Sequence, residues 1–125
     1  MIGYVTLGSN DVKRAGAFYD GVLGGLNAKR QIDSDGFIAW SQGSDTPMLS
    51  VINPFDGAPA TVGNGVMVAL VVKTREEVAT AYAKAIELGG TDEGGPGLRG
   101  ETFYGAYFRD PDGNKLVVYT ADSFG

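Results

Sequence analysis

The sequence predicts an α+β domain built from two βαβββ halves. Two stretches carry apolar residues at helical spacing, and each ends in the same Leu-Gly-Gly stop, Leu23-Gly24-Gly25 and Leu88-Gly89-Gly90. Each helix follows one strand-like segment and precedes three more, so the chain repeats its own order. A length of 125 residues suits one domain. Either half alone is too small to bury much surface, which favours packing two sheets into one curved structure.

Ile2 to Leu7 alternates apolar and polar residues and reads as the first strand. Gly8-Ser9-Asn10-Asp11 offers N-caps, and Val12, Ala15, Phe18, Tyr19, Val22 and Leu23 recur at helical spacing, placing a helix near residues 11–23. Gly24-Gly25 is expected to stop it. Leu26 to Asp33, Phe37 to Gln42 and Met48 to Asn53 read as three strands, parted by Ser34-Asp35-Gly36 and Gly43-Ser44-Asp45. The first module spans about 1–55. The Pro- and Gly-bearing stretch at about 54–65 lacks periodicity and reads as a linker.

Val66 to Lys73 opens the second module, about 66–125. Thr74-Arg75-Glu76-Glu77 fits a capping box, and Val78, Ala81, Tyr82, Ala85 and Ile86 form the stripe of a helix near 75–88. A short strand or irregular segment follows, then the Gly-rich run Gly94 to Gly100. Phe103 to Arg109 alternates and is rich in aromatics. Asp110-Pro111-Asp112-Gly113-Asn114 carries turn chemistry at each position, a structural role. Leu116 to Tyr119 is an apolar strand.

Composition excludes several functions. No cysteine and no histidine occur among the residues, so disulfides, thiolate sites and a Ser-His-Asp triad are ruled out. A net charge of −5 with no basic patch argues against nucleic acid and anionic membranes as partners. No apolar run approaches membrane-spanning length and no signal peptide is evident, so a cytoplasmic protein is expected. Gly94-Gly95-Pro96-Gly97 lacks the Gly-Lys-Ser/Thr of a phosphate loop.

Ile2-Gly3-Tyr4-Val5-Thr6-Leu7, Asn10-Asp11-Val12, Ala17-Phe18-Tyr19 and Val22-Leu23-Gly24, with Tyr104 to Asn114 at the other end, resemble the vicinal oxygen chelate superfamily. It includes glyoxalase I, bleomycin-resistance proteins and extradiol dioxygenases. The resemblance implies an open curved barrel around a central cavity, and a homodimer with pockets often shared between chains. Its enzymes usually hold a divalent metal through His and Glu. The matching positions here fall near Tyr4, Leu49, Met67 and Val117, where one phenol and three apolar side chains stand. No metal and no cofactor are therefore expected.

Alternation assigns the faces. Val5, Leu7, Val66, Val68, Leu70, Leu116 and Val118 pack against helices, which leaves Tyr4, Thr6, Met67, Ala69, Val117 and Tyr119 toward the cavity. Such a lining suits an apolar or aromatic ligand with a few polar contacts, or else it closes into an ordinary core. Trp40 is read as a cavity wall or as core. Arg99 and Glu101 flank Gly100, as an anion anchor and a base on a mobile lid, or as a solvated surface pair. The expected function is binding of a small-molecule ligand without a metal. The alternative is a glyoxalase-like lyase or isomerase, or a dioxygenase-related enzyme, with an altered metal site.

Overall fold

The computed structural model describes residues 1–121. The last positions of the second module, 122–125, lie outside the described residues. The first half consists of β1 (Tyr4–Gly8), α1 (Val12–Gly24), β2 (Lys29–Ser34), β3 (Phe37–Ser41) and β4 (Met48–Ile52). The second consists of β5 (Val68–Val71), α2 (Arg75–Glu87), β6 (Thr91–Arg99), β7 (Phe103–Arg109) and β8 (Lys115–Ala121). This is the predicted βαβββ order, twice.

The caps act as their chemistry requires. The Asp11 carboxylate accepts the Arg14 backbone N–H at 3.0 Å, and the Thr74 hydroxyl accepts that of Glu77 at 3.1 Å. Gly89 stands at φ 101 just past α2, as expected of a helix stop. The first stop differs from its expectation. Helix α1 runs through Gly24, Gly25 stays right-handed, and the left-handed residue is Asn27 at φ 64. An Asn side chain tolerates that conformation, so the chain turns over residues 25–28 and β2 starts at Lys29 rather than Leu26.

The Gly-rich run is also corrected. It is not a lid: residues 94–99 lie within β6, a nine-residue strand antiparallel to β7, with register shifts between Asp92, Gly94 and Gly97. Backbone pairing with β7 holds the run as strand despite its low β-propensity.

Two four-stranded sheets result, ordered β1-β4-β3-β2 and β5-β8-β7-β6. In each, the first strand pairs with the last in parallel and the rest are antiparallel. The sheets are curved and open, and do not close into a barrel. Helix α1 covers one face of the first sheet, α2 covers one face of the second, and the helices pack on each other. One core joins both halves: Leu7, Phe18, Tyr19, Trp40 and Val51 belong to it, as do Val78, Ala81, Phe108, Leu116 and Val118. The opposite face of each sheet is left without a helix.

The Asp110–Asn114 turn fastens the halves together. The Tyr19 hydroxyl donates to Asp110 Oδ2 at 2.6 Å, Arg14 Nη2 donates to Asp112 Oδ1 at 2.9 Å, and Asn114 Nδ2 donates to the Gly8 carbonyl at 2.9 Å. Among the described residues no helix is long and apolar enough to cross a membrane.

Candidate functional site

The face carried by each side chain follows from strand register. In the first sheet Tyr4 pairs with Met48, and Thr6 with Ser50, which in turn faces Ala39. These residues share the uncovered face with Phe37, which pairs with Ile52. The Tyr4 and Phe37 rings meet edge to face, with centroids 6.4 Å apart. Their two rows lie on either side of the Ser50 row, so the pair closes over it. Ser50 is fully buried there, and its hydroxyl has no hydrogen-bond partner.

In the second sheet Ala69, Val117 and Tyr107 form one row, and Val71, Tyr119 and Gly105 the next. Phe103, two residues before Gly105, shares this face. Its ring stacks on Tyr119 with centroids 4.9 Å apart and planes 9° from parallel. Gly105 makes room for it, since a Cβ there would come within 2.7 Å of Phe103 Cε1. The Arg99 guanidinium and the Lys115 ammonium each lie 5.5 Å from the centre of the Tyr107 ring.

Of the residues expected to line the site, Tyr4, Thr6, Val117 and Tyr119 do lie on the uncovered faces. Tyr4 and Thr6 are exposed on the first sheet, and Val117 is buried at the centre of the second. Met67 precedes β5 rather than standing in it, and is 42% exposed. With Val66, Arg109 and Lys115 it lines a recess of about 450 Å³. Arg99 joins this face through Tyr107.

Trp40 and Leu49 do not. They pair with each other, and Leu49 pairs with Val5, which puts all three on the helix side. Trp40 is 1% exposed, its ring lies 5.5 Å from that of Tyr19, and its Nε1 donates to Asp20 at 2.9 Å. Arg30 grips the same carboxylate through Nε at 2.9 Å and Nη2 at 2.8 Å. These hydrogen bonds, Arg30's foremost, hold the Asp20 carboxyl below its ordinary pKa. The parity of β4 explains the correction: Ser50, one residue on from Leu49, is the β4 side chain that faces Thr6. Glu101 is exposed in the turn between β6 and β7 and forms no ion pair with Arg99.

Phe37, Ser50, Phe103, Tyr107 and Lys115 were not anticipated as site residues. Counting alternate positions outward from the 110–114 turn places Tyr107, Phe103 and Lys115 on the Val117 face, and that signal was available in the sequence.

The site offers little to a metal ion. At the uncovered positions of β1, β4 and β8 and just ahead of β5 stand phenols, hydroxyls, thioethers, an ammonium and alkyl groups. A divalent cation needs several converging nitrogen, thiolate or carboxylate donors. Among the described residues no group of three or more His, Cys, Asp or Glu is placed to hold one. These residues do not fit the group.

Residues 1–118 match the family profile described as the Glyoxalase/Bleomycin resistance protein/Dioxygenase superfamily. The chain is similar to the crystal structure of a glyoxalase/bleomycin resistance protein from Albidiferax ferrireducens T118, at 33% identity and TM-score 0.88, covering 96% of this chain and 98% of that one. A glyoxalase/bleomycin resistance protein/dioxygenase family enzyme from Burkholderia phytofirmans PsJN aligns at 22% identity and TM-score 0.77, over 95% and 97% of the two chains. Lactoylglutathione lyase from Agrobacterium tumefaciens aligns at 21% and 0.73, over 100% and 96%. The last two likenesses bear on fold alone. No curated protein matches the chain in sequence.

Proposed function

Since the chain belongs to the Glyoxalase/Bleomycin resistance protein/Dioxygenase superfamily, we propose that it binds a small apolar or aromatic molecule without a metal. The ligand lies over the uncovered sheet faces, and a second copy of the chain completes the site. The supporting observation is the side-chain set on those faces. Tyr4, Phe37, Val117 and Tyr119 offer apolar and aromatic contact, while Thr6 and Ser50 offer hydroxyls. Apolar area supplies the affinity, and a few polar groups orient the ligand.

Ser50 supports the same reading. A buried hydroxyl without a partner costs free energy, and a ligand acceptor reaching beneath the Tyr4–Phe37 pair would satisfy it. The exposed Tyr4 and Val71 belong to faces that a partner chain would cover, which supports the homodimer. The proposed setting is the cytoplasm.

The test is a thermal-shift and fluorescence screen of aromatic small molecules on protein stripped with a chelator, with sedimentation run in parallel. Saturable binding that survives chelation, by a dimer, is expected. Binding that returns only with added metal, about one per chain by elemental analysis, would overturn the metal-free reading. A monomer at high protein concentration would overturn the shared site.

A further inference from the structure

The Gly-rich stretch of β6 has a physical explanation in Arg99. Its guanidinium folds back along its own strand, and its Nη2 donates to the Gly95 carbonyl at 2.8 Å. A Cβ at Gly94 would stand 3.0 Å from Nη2, and one at Gly97 would stand 3.1 Å from Nη1. Gly94 also holds φ 145, a conformation that side chains avoid. Both positions are thus kept bare where the guanidinium lies, and Arg99 rests over Tyr107 rather than in solvent.

Lys115 reaches the same ring from β8. Among the described residues neither cation has a carboxylate partner, since their ion pairs are Arg14–Asp112, Arg30–Asp20, Arg30–Asp33, Lys84–Glu87 and Arg109–Glu93. In a chain of net charge −5, two cations gathered over one aromatic ring are a local reversal of sign. Apolar surface lies beside them: Met67 and Val66 border the 450 Å³ recess that Lys115 helps to line, and Val117 is the neighbour of Tyr107 in its row.

We propose that the ligand is an aromatic carboxylate, with its carboxylate held between Arg99 and Lys115 and its ring against the apolar surface around Met67 and Tyr107. This rests on the ligand-binding reading above and narrows it. Opposite charge attracts the ligand, and the fork of Arg99 gives its carboxylate a fixed direction.

The experiment compares 1-naphthoate with the neutral, near-isosteric 1-naphthalenemethanol by equilibrium dialysis against the full chain. Naphthoate is expected to bind roughly tenfold more tightly, the gain typical of a hydrogen bond to a charged group. Its advantage should shrink as salt is raised. Arg99→Gln and Lys115→Gln should each lower naphthoate affinity by a larger factor than naphthalenemethanol affinity and so reduce that advantage, with melting curves reporting that each variant folds. Equal affinity for the two probes would overturn the carboxylate and leave the aromatic site standing. A naphthoate preference untouched by both substitutions would overturn the assignment to Arg99 and Lys115. Binding of neither probe would overturn this proposal together with the ligand-binding reading beneath it.

Discussion

The Tyr19 hydroxyl donates to Asp110 Oδ2 at 2.6 Å, across 91 residues of sequence. It ties the buried face of α1 to the turn that closes β7 and β8. Asp110 also accepts the backbone N–H groups of Asp112 and Asn114 at 2.9 Å each and the Asn114 amide at 3.0 Å. Tyr19→Phe therefore leaves the carboxylate with three donors, and the expected loss is about 1–2 kcal/mol, a fall of a few degrees in melting temperature. The same bond sets an alkaline limb. Burial, with Asp110 reinforcing it, raises the Tyr19 pKa well above its ordinary 10.0. A raised acid stays protonated in the fold while the unfolded chain ionises, so stability is full below 10.0 and is lost as pH climbs above it. Urea melts across that range should show a shallower decline for Tyr19→Phe than for the parent.

Asp20 governs the opposite limb. Its carboxyl is held below the ordinary 3.8, chiefly by Arg30 and then by the Trp40 indole. A depressed carboxyl contributes stability that is full above 3.8 and lost as pH falls through the folded value. The group is half exposed, so the effect is modest. Asp20→Asn should flatten the acid limb and change the emission of the single tryptophan, which loses its carboxylate acceptor. Trp40 fluorescence recorded during acid titration of both proteins checks this; identical curves would refute it.

Gly105 is predicted to resist even alanine. The new Cβ would stand 2.7 Å from Phe103 Cε1 and 3.3 Å from the Val118 carbonyl oxygen. The Phe103 ring must swing off Tyr119, costing about 1 kcal/mol of aromatic contact. Near-ultraviolet circular dichroism should change while far-ultraviolet signal stays, and the melting temperature should fall slightly.

Much of this was legible in the sequence, for identifiable reasons. Both helices announced themselves through local caps at Asp11 and Thr74, and β7 came out residue for residue because alternation and the following turn agree on its ends. Faces in β1 and β8 followed from period two alone. Leu49 was misplaced, and Trp40 was left between cavity wall and core, because their face depends on register across β3 and β4, which no local pattern states; a shift of one residue exchanges Leu49 for Ser50. The glycines of β6 looked like a loop because their reason, the guanidinium of Arg99, lies further along the chain and acts through space. The repeat pointed to two sheets, as observed, but how α1 and α2 pack on each other between them is not stated by any local pattern.

Two substitutions separate a ligand site from a closed core. Met67 is 42% exposed at the recess it shares with Lys115, while Val117, in β8, is 1% exposed. Met67→Asp leaves its carboxylate in water beside a lysine, so folding stability should move by only about 0.5 kcal/mol. It also places a negative charge where the proposed ligand carries its own, so naphthoate affinity should fall. Val117→Asp buries a carboxylate among apolar neighbours, and several kcal/mol of stability should go with it. Thermal melts of both variants, with naphthoate binding measured on Met67→Asp, decide the matter. A large drop in melting temperature for Met67→Asp would mean that its surroundings close over it in solution, and the recess would then be core rather than site.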